Sequence, residues 1–125
     1  MKEKKFLLPE HAINPNLAPH RGGCIASDSI TVHGYPVGRM YRDEPDNDID
    51  SGWRFLAGQE PSECVNDPDY LGVYDVNTIA NYDSDIIPFL DADFGSAFER
   101  QAKSLKFVSA PFPQFDESEE RSPET

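Results

Sequence analysis

Residues 50–57 read Asp50-Ser51-Gly52-Trp53-Arg54-Phe55-Leu56-Ala57. From Ser51 onward the run alternates. Trp53, Phe55 and Ala57 share one face and Arg54 and Leu56 the other, which is the period-two signature of a strand. Two large aromatics facing one way set that face against a core, and Gly58 ends the run. Immediately before it, residues 43–50 form a loop of charge interrupted by Pro45. Residues 35–42 alternate too, with Tyr35, Val37, Arg39 and Tyr41 on one face and Gly38, Met40 and Arg42 on the other. Strand, charged loop and strand form a hairpin, and the rest of the fold is read outward from it.

Upstream, Cys24-Ile25-Ala26-Ser27 follows Gly22-Gly23 and reads as a short strand. Residues 29–32 extend it or form the next turn, ended by Gly34. Downstream, Pro61 opens a short helix through Glu63, Cys64 and Val65, stopped by Asn66-Asp67-Pro68. Asp75 is placed to cap a second helix carrying Val76, Ile79 and Ala80 on one stripe. Residues 86–90 are apolar but broken by Pro88. Residues 95–100 and 105–108 read as two strands joined by a polar turn. The expectation is a small single α+β domain. Its sheet is mostly antiparallel, with about five short strands and one or two short helices. The domain covers 21–110. Residues 1–20, with Pro9, Pro15 and Pro19, read as an extended lead-in. Residues 111–125 end in DESEERSPET, which has nothing apolar to bury, and are expected to be a disordered acidic tail.

The chain has 125 residues, a hydrophobic fraction of 38% and a mean hydropathy of -0.61. That is polar for one domain, but 8 Phe, 5 Tyr and 1 Trp are enough to seed a core. The net charge of -12 is unevenly distributed. Residues 1–42 are net positive, residues 43–100 hold nearly all of the excess acid, and the last 25 residues are mildly negative. An acidic domain repels nucleic acid and anionic lipid and suits a basic protein partner. The apolar run at the N-terminus is only Phe6, Leu7 and Leu8, too short for a secretory signal, and no stretch is long enough to span a membrane. A cytoplasmic location is expected, with Cys24 and Cys64 reduced and Cys24 quiet in a core strand.

Catalytic signatures are missing. There is no nucleophile elbow, phosphate-binding glycine loop, dinucleotide fingerprint or zinc-protease helix motif. Asp46, Asp48 and Asp50 have the opening spacing of a calcium loop. Ser51 then stands where that loop needs glycine, and Ala57 where it needs a bidentate Glu. His11, His20 and His33 are scattered and no C-x-x-C occurs, so no metal or cofactor is expected. The acids Asp43, Glu44, Asp46, Asp48 and Asp50 read as a contact surface for a protein partner, with Trp53, Arg54, Glu60 and Asp75 assigned to the same surface. Arg54, set among many carboxylates, suits an ion pair, and Trp53 suits either a core or an anchor. A different class of function is a small enzyme or ligand-binding domain with a polar site around Arg54, Glu60 and Asp75.

Three runs resemble a known family: residues 23–27, residues 50–60 (DSGWRFLAGQE) and residues 74–100. Together they are similar to the bacterial immunity protein 33-like domain, also grouped as domain of unknown function 2185, over roughly residues 22–108. Asp50, Ser51, Gly52, Trp53, Arg54, Phe55, Gly58 and Glu60 match its pattern, as do Asp75, Asn77 and Thr78. The resemblance implies a cytosolic, non-enzymatic immunity protein of a polymorphic toxin system, which binds and silences a toxin. It implies no catalytic residue. A basic toxin fits the charge of this chain.

Overall fold

The strand read from Ser51 is the third of six and lies inside the sheet. In the computed structural model, which describes residues 5–65 and 67–112, it runs Asp50–Leu56 (β3). The others are β1 (Gly23–Ser27), β2 (Arg39–Arg42), β4 (Leu71–Asp75), β5 (Ala97–Arg100) and β6 (Phe107–Ser109). Their order across the sheet is β4-β1-β3-β2-β5-β6. β1 pairs with β3 in parallel, and the remaining pairings are antiparallel. The class is therefore α+β as expected, with a mixed sheet and one strand more than the reading of about five. Three short helices stand where one or two were expected: α1 (Asp28–Thr31), α2 (Ser62–Val65) and α3 (Val76–Tyr82). Asn66 and the tail beyond Phe112, on which the sequence reading also ventured, lie outside the described residues.

The extra strand is β4, an edge strand with a glycine in it and a burial pattern too weak to alternate. The extra helix is α1. Ile30 and Thr31 favour strand by propensity, but helical geometry buries Ser29, Ile30 and Thr31 together, and packing overrides propensity. β2 is shorter than residues 35–42 because Pro36 has no N–H to give a ladder. The chain bends there, so Val37 turns into the core although it shares parity with Tyr41.

One sheet face carries Cys24 and Ala26 from β1, Trp53 and Phe55 from β3 and Met40 from β2. Ile30 of α1, Val76, Ile79 and Ala80 of α3, and Ile86 and Leu90 close it. Trp53 and Phe55 stack at 5.9 Å, and the Trp53 indole N–H donates to the Leu90 carbonyl at 3.1 Å. Pro88 is accommodated in a 3-10 turn, Ser84–Phe89, which sets Phe89 against Phe98 and Phe107. Residues before β1 are tied to α3. Asn77 accepts from the Ala18 amide and donates to the Asn14 carbonyl, and Asn81 accepts from the Asn14 amide. The opposite sheet face shows Ile25, Arg54 and Tyr41, with the Phe112 ring edge-on to Tyr41 at 5.5 Å.

Candidate partner-binding surface

Antiparallel pairing puts chain ends together. β1, β3 and β5 begin where β2, β4 and β6 end, and the loops there include residues 43–50. That loop is braced by its own side chains. The Asn47 Oδ1 accepts from the amides of Ile49 and Asp50, both at 2.9 Å, and Asp43 accepts from the Glu44 amide at 2.8 Å. Such side-chain to backbone bonds hold a turn without regular structure. They leave Glu44, Asp46 and Asp48 exposed, with Asp43 and Asp50 half-buried.

The same end of the sheet gathers more acid. Asp75 closes β4 opposite Gly23, which on its other side pairs with Asp50. Asp75 is exposed and caps α3 through the Asn77 amide at 2.8 Å. Asp91 and Asp93 lead into β5, and their loop is fastened to the end of β2. Arg42 donates to the Ala92 carbonyl at 2.8 Å, and the Gly95 amide donates to the Arg42 carbonyl at 2.6 Å. Three arginines share this end, and each is occupied. Arg21 pairs with Asp91 at 2.6 Å and holds that exposed carboxyl below the usual range. Arg42 bonds the Ser51 and Ala92 carbonyls and lies over the Trp53 and Phe94 rings. Arg54 pairs with Asp50 at 2.9 Å and reaches Asp46 at 3.7 Å.

The other end is of mixed sign. Arg39 pairs with Glu99 at 3.6 Å. Arg100 pairs with Asp83 and Asp85, donates to the Val37 carbonyl and lies over Phe107. Lys103 and Lys106 follow on the β5–β6 turn, Asp67 and Asp69 stand before β4, and Asp28, Glu60 and Glu63 follow β1 and β3, so this end is net negative too.

Not every residue assigned from sequence belongs to the acidic surface. Trp53 is 1% exposed and lies in the core, where no partner can reach it, so that assignment is corrected. Arg54 is buried on the opposite sheet face in its ion pair. Burial works against its charge, but the Asp50 hydrogen bond and the charges of Asp50, Asp46 and Asp43 hold the guanidinium protonated. Glu60 is at the far end. It accepts from the Ser27 hydroxyl at 2.6 Å and from the amides of Ala57 and Gly58 at 2.7 and 2.9 Å. Burial works against its charge, but these bonds outweigh it and hold its pKa down. Asp75 and Glu60 stand beside opposite ends of β1, about 13 Å apart at the usual rise per residue. Arg54, Glu60 and Asp75 therefore do not converge on one polar site. Asp43, Glu44, Asp46 and Asp48, with Asp75, do share one end of the sheet, and Asp91 and Asp93 join them. Sequence reading missed those two because only the β2–β5 pairing reveals their position.

Cys24 is 1% exposed. Burial pushes its thiol far up, and the nearby Asp75 and Asp50 charges push the same way against Arg54. A thiol so protonated is no nucleophile. Among the described residues, no group of three or more His, Cys, Asp or Glu is arranged to hold a metal ion, and no helix is long and apolar enough to cross a membrane.

No curated protein and no solved structure matches the chain. The model of the immunity protein Imm33 domain matches residues 24–110, from the core strand β1 to just past β6. Most of the fold lies inside that match, and the chain belongs to the Imm33 family of immunity proteins.

Proposed function

We propose that this chain is a non-enzymatic immunity protein that neutralises a toxin by covering a basic surface of it with the acidic end of its sheet. The family supplies a protein partner in general. The observation that carries the finer reading is the gathering of exposed acid from separate loops at one end of the sheet. Glu44, Asp46, Asp48, Asp75 and Asp93 crowd one end, whose arginines are already held by Asp91, Asp50 and backbone carbonyls. The far end mixes both signs. A local concentration of exposed carboxylates speeds encounter with a positive cleft and keeps phosphate-bearing molecules away. The chain would act in the cytoplasm of the cell that makes the toxin, without cofactor, nucleic acid or membrane.

The test uses the toxin encoded beside this chain's gene. The wild-type chain should bind it and protect the cell that expresses it. A chain carrying Glu44→Gln, Asp46→Asn and Asp48→Asn should associate several-fold more slowly and lose most of the salt dependence of association. Asp50 is left intact because it holds Arg54. Association and salt dependence equal to wild type in the neutralised chain would refute the acidic surface.

A further inference from the structure

We propose that Ile49 and Phe94 are the apolar anchors of the docking surface, and that the partner presents an apolar depression ringed by lysine and arginine. The proposal rests on the reading of the acidic end as the docking end, and it names what on that end supplies the hold.

Ile49 is 75% exposed and Phe94 54% exposed. Each stands in a different loop of the acidic end. Each is flanked by acids in the chain: Asp48 and Asp50 about Ile49, and Asp93 before Phe94 with Asp91 close by. A large apolar side chain within a charged rim is the anatomy of an interface core, in which a few anchors dominate and the rim excludes water and steers. Rim acids act mainly on encounter, and apolar anchors add a slow dissociation.

The Ile49 backbone and the Phe94 ring are held in place before any partner arrives. The Ile49 amide is bound by the Asn47 Oδ1, and its carbonyl accepts from the Gly23 amide at 2.8 Å. Gly22, with φ +92, passes so close that a Cβ there would lie 2.4 Å from the Ile49 carbonyl oxygen. Phe94 lies against the Arg42 guanidinium, 4.6 Å from ring centroid to Cζ. That guanidinium is itself fixed by the Ser51 and Ala92 carbonyls. A loop backbone and a ring already held lose less freedom on binding. Two comparably exposed apolar residues lack this setting. Val73 lies on the edge strand β4, and Leu105 on the far turn beside Lys103 and Lys106.

The probe is the purified toxin encoded beside the gene, with binding kinetics followed over a range of salt. Ile49→Ser and Phe94→Ser should each weaken the complex about tenfold or more, through faster dissociation and with the salt dependence unchanged. Leu105→Ser, equally surface-placed at the far end, should bind as wild type. Phe94→Leu keeps an apolar side chain there and should bind within about threefold of wild type, which separates anchoring from loss of the Arg42 contact. Wild-type dissociation rates in both Ile49→Ser and Phe94→Ser, while the neutralised chain still associates slowly, would overturn the anchors and leave the acidic surface standing. Failure of the wild-type chain to bind the toxin would overturn both.

Discussion

Asp50 and Arg54 sit four residues apart on one strand, yet the carboxylate accepts from both terminal guanidinium nitrogens of Arg54, at 3.0 and 2.9 Å. On a straight strand their Cα atoms would be about 13 Å apart. The strand is not straight. Gly23 of β1 pairs with Asp50 and Ile25 with Arg54, so β3 spends extra residues against β1. Gly52, at φ +91, sits in the bulge and its amide donates to Asp50 at 2.9 Å. Ser51 ties the bulge to β1 by donating to the Gly23 carbonyl at 2.6 Å. The Asp-Ser-Gly-Trp-Arg stretch is thus a bulge with its own ion-pair clasp. It ends the acidic loop and turns Trp53 into the core.

Breaking the clasp should be costly, because both side chains are about nine-tenths buried. Arg54→Ala leaves the Asp50 charge without its main partner, and a loss of about 3 kcal/mol in denaturant unfolding is expected. Arg54 holds the Asp50 carboxyl far below the usual carboxylate range. A depressed folded pKa gives stability that is full above the unfolded value of about 3.9 and is lost as pH falls further toward the folded pKa. Wild-type stability should therefore fall as the pH is lowered below about 4, and Asp50→Asn should flatten that part of the profile while lowering stability at neutral pH.

Gly52 and Gly95 share a φ of +91 and differ in surroundings. A Cβ on Gly52 would lie 2.1 Å from the Asp43 carbonyl oxygen, whereas nothing lies within 4 Å of one on Gly95. Gly95→Ala should cost only the left-handed strain, about 1–2 kcal/mol. Gly52→Ala must in addition push β2 from β3, so its loss should be clearly larger by the same unfolding measurement.

What was legible from sequence follows from how local each signal is. Trp53 and Phe55 alternate with Arg54 in a run long enough to show a period of two, and β3 lies within a residue of its reading. Asp75 announces α3 because a capping side chain acts within its own turn. β4 was missed because Gly72 and a half-wet edge give no pattern, and its place beside β1 is a long-range fact. The parallel pairing of β1 with β3 is equally invisible, since neither strand's composition records the direction of its neighbour. At the candidate surface, the acids of residues 43–50 were visible as a run. Asp91 and Asp93 were not, since Arg42 must first fasten their loop to the end of β2. Trp53 was assigned twice over, to core and to surface, because an aromatic on a strand looks the same either way until the opposite layer is known.

Cys24 and Cys64 should differ in reactivity. Cys24 is buried with its thiol pushed up, whereas Cys64 on α2 is half-buried. With a thiol reagent at pH 8, one cysteine per chain should react while the protein is folded, and the second only after denaturation. Mapping the modified peptide should place the first label on Cys64. Rapid modification of Cys24 in the native protein would mean that β1 opens far more readily than a core strand does.

Glu60 gives the sharpest stability prediction away from the acidic end, because its carboxylate serves three donors at once. The Ser27 hydroxyl and the amides of Ala57 and Gly58 all point at it, and Ser27 is fully buried. Glu60→Ala should strand those donors, costing about 2–3 kcal/mol, since bonds to a charged acceptor are the stronger class and an unmet buried donor costs its full desolvation. Glu60→Gln keeps one acceptor oxygen and should lose about half as much. The contacts hold the Glu60 pKa down despite partial burial, so its share of stability is present above the unfolded value of about 4.3 and fades as pH falls below it. In a stability profile against pH, Glu60→Gln should therefore differ most from wild type at neutral pH and converge on it in acid. Because Glu60 stands at the opposite end of β1 from Asp75, the same variant should bind the toxin with wild-type affinity wherever it remains folded.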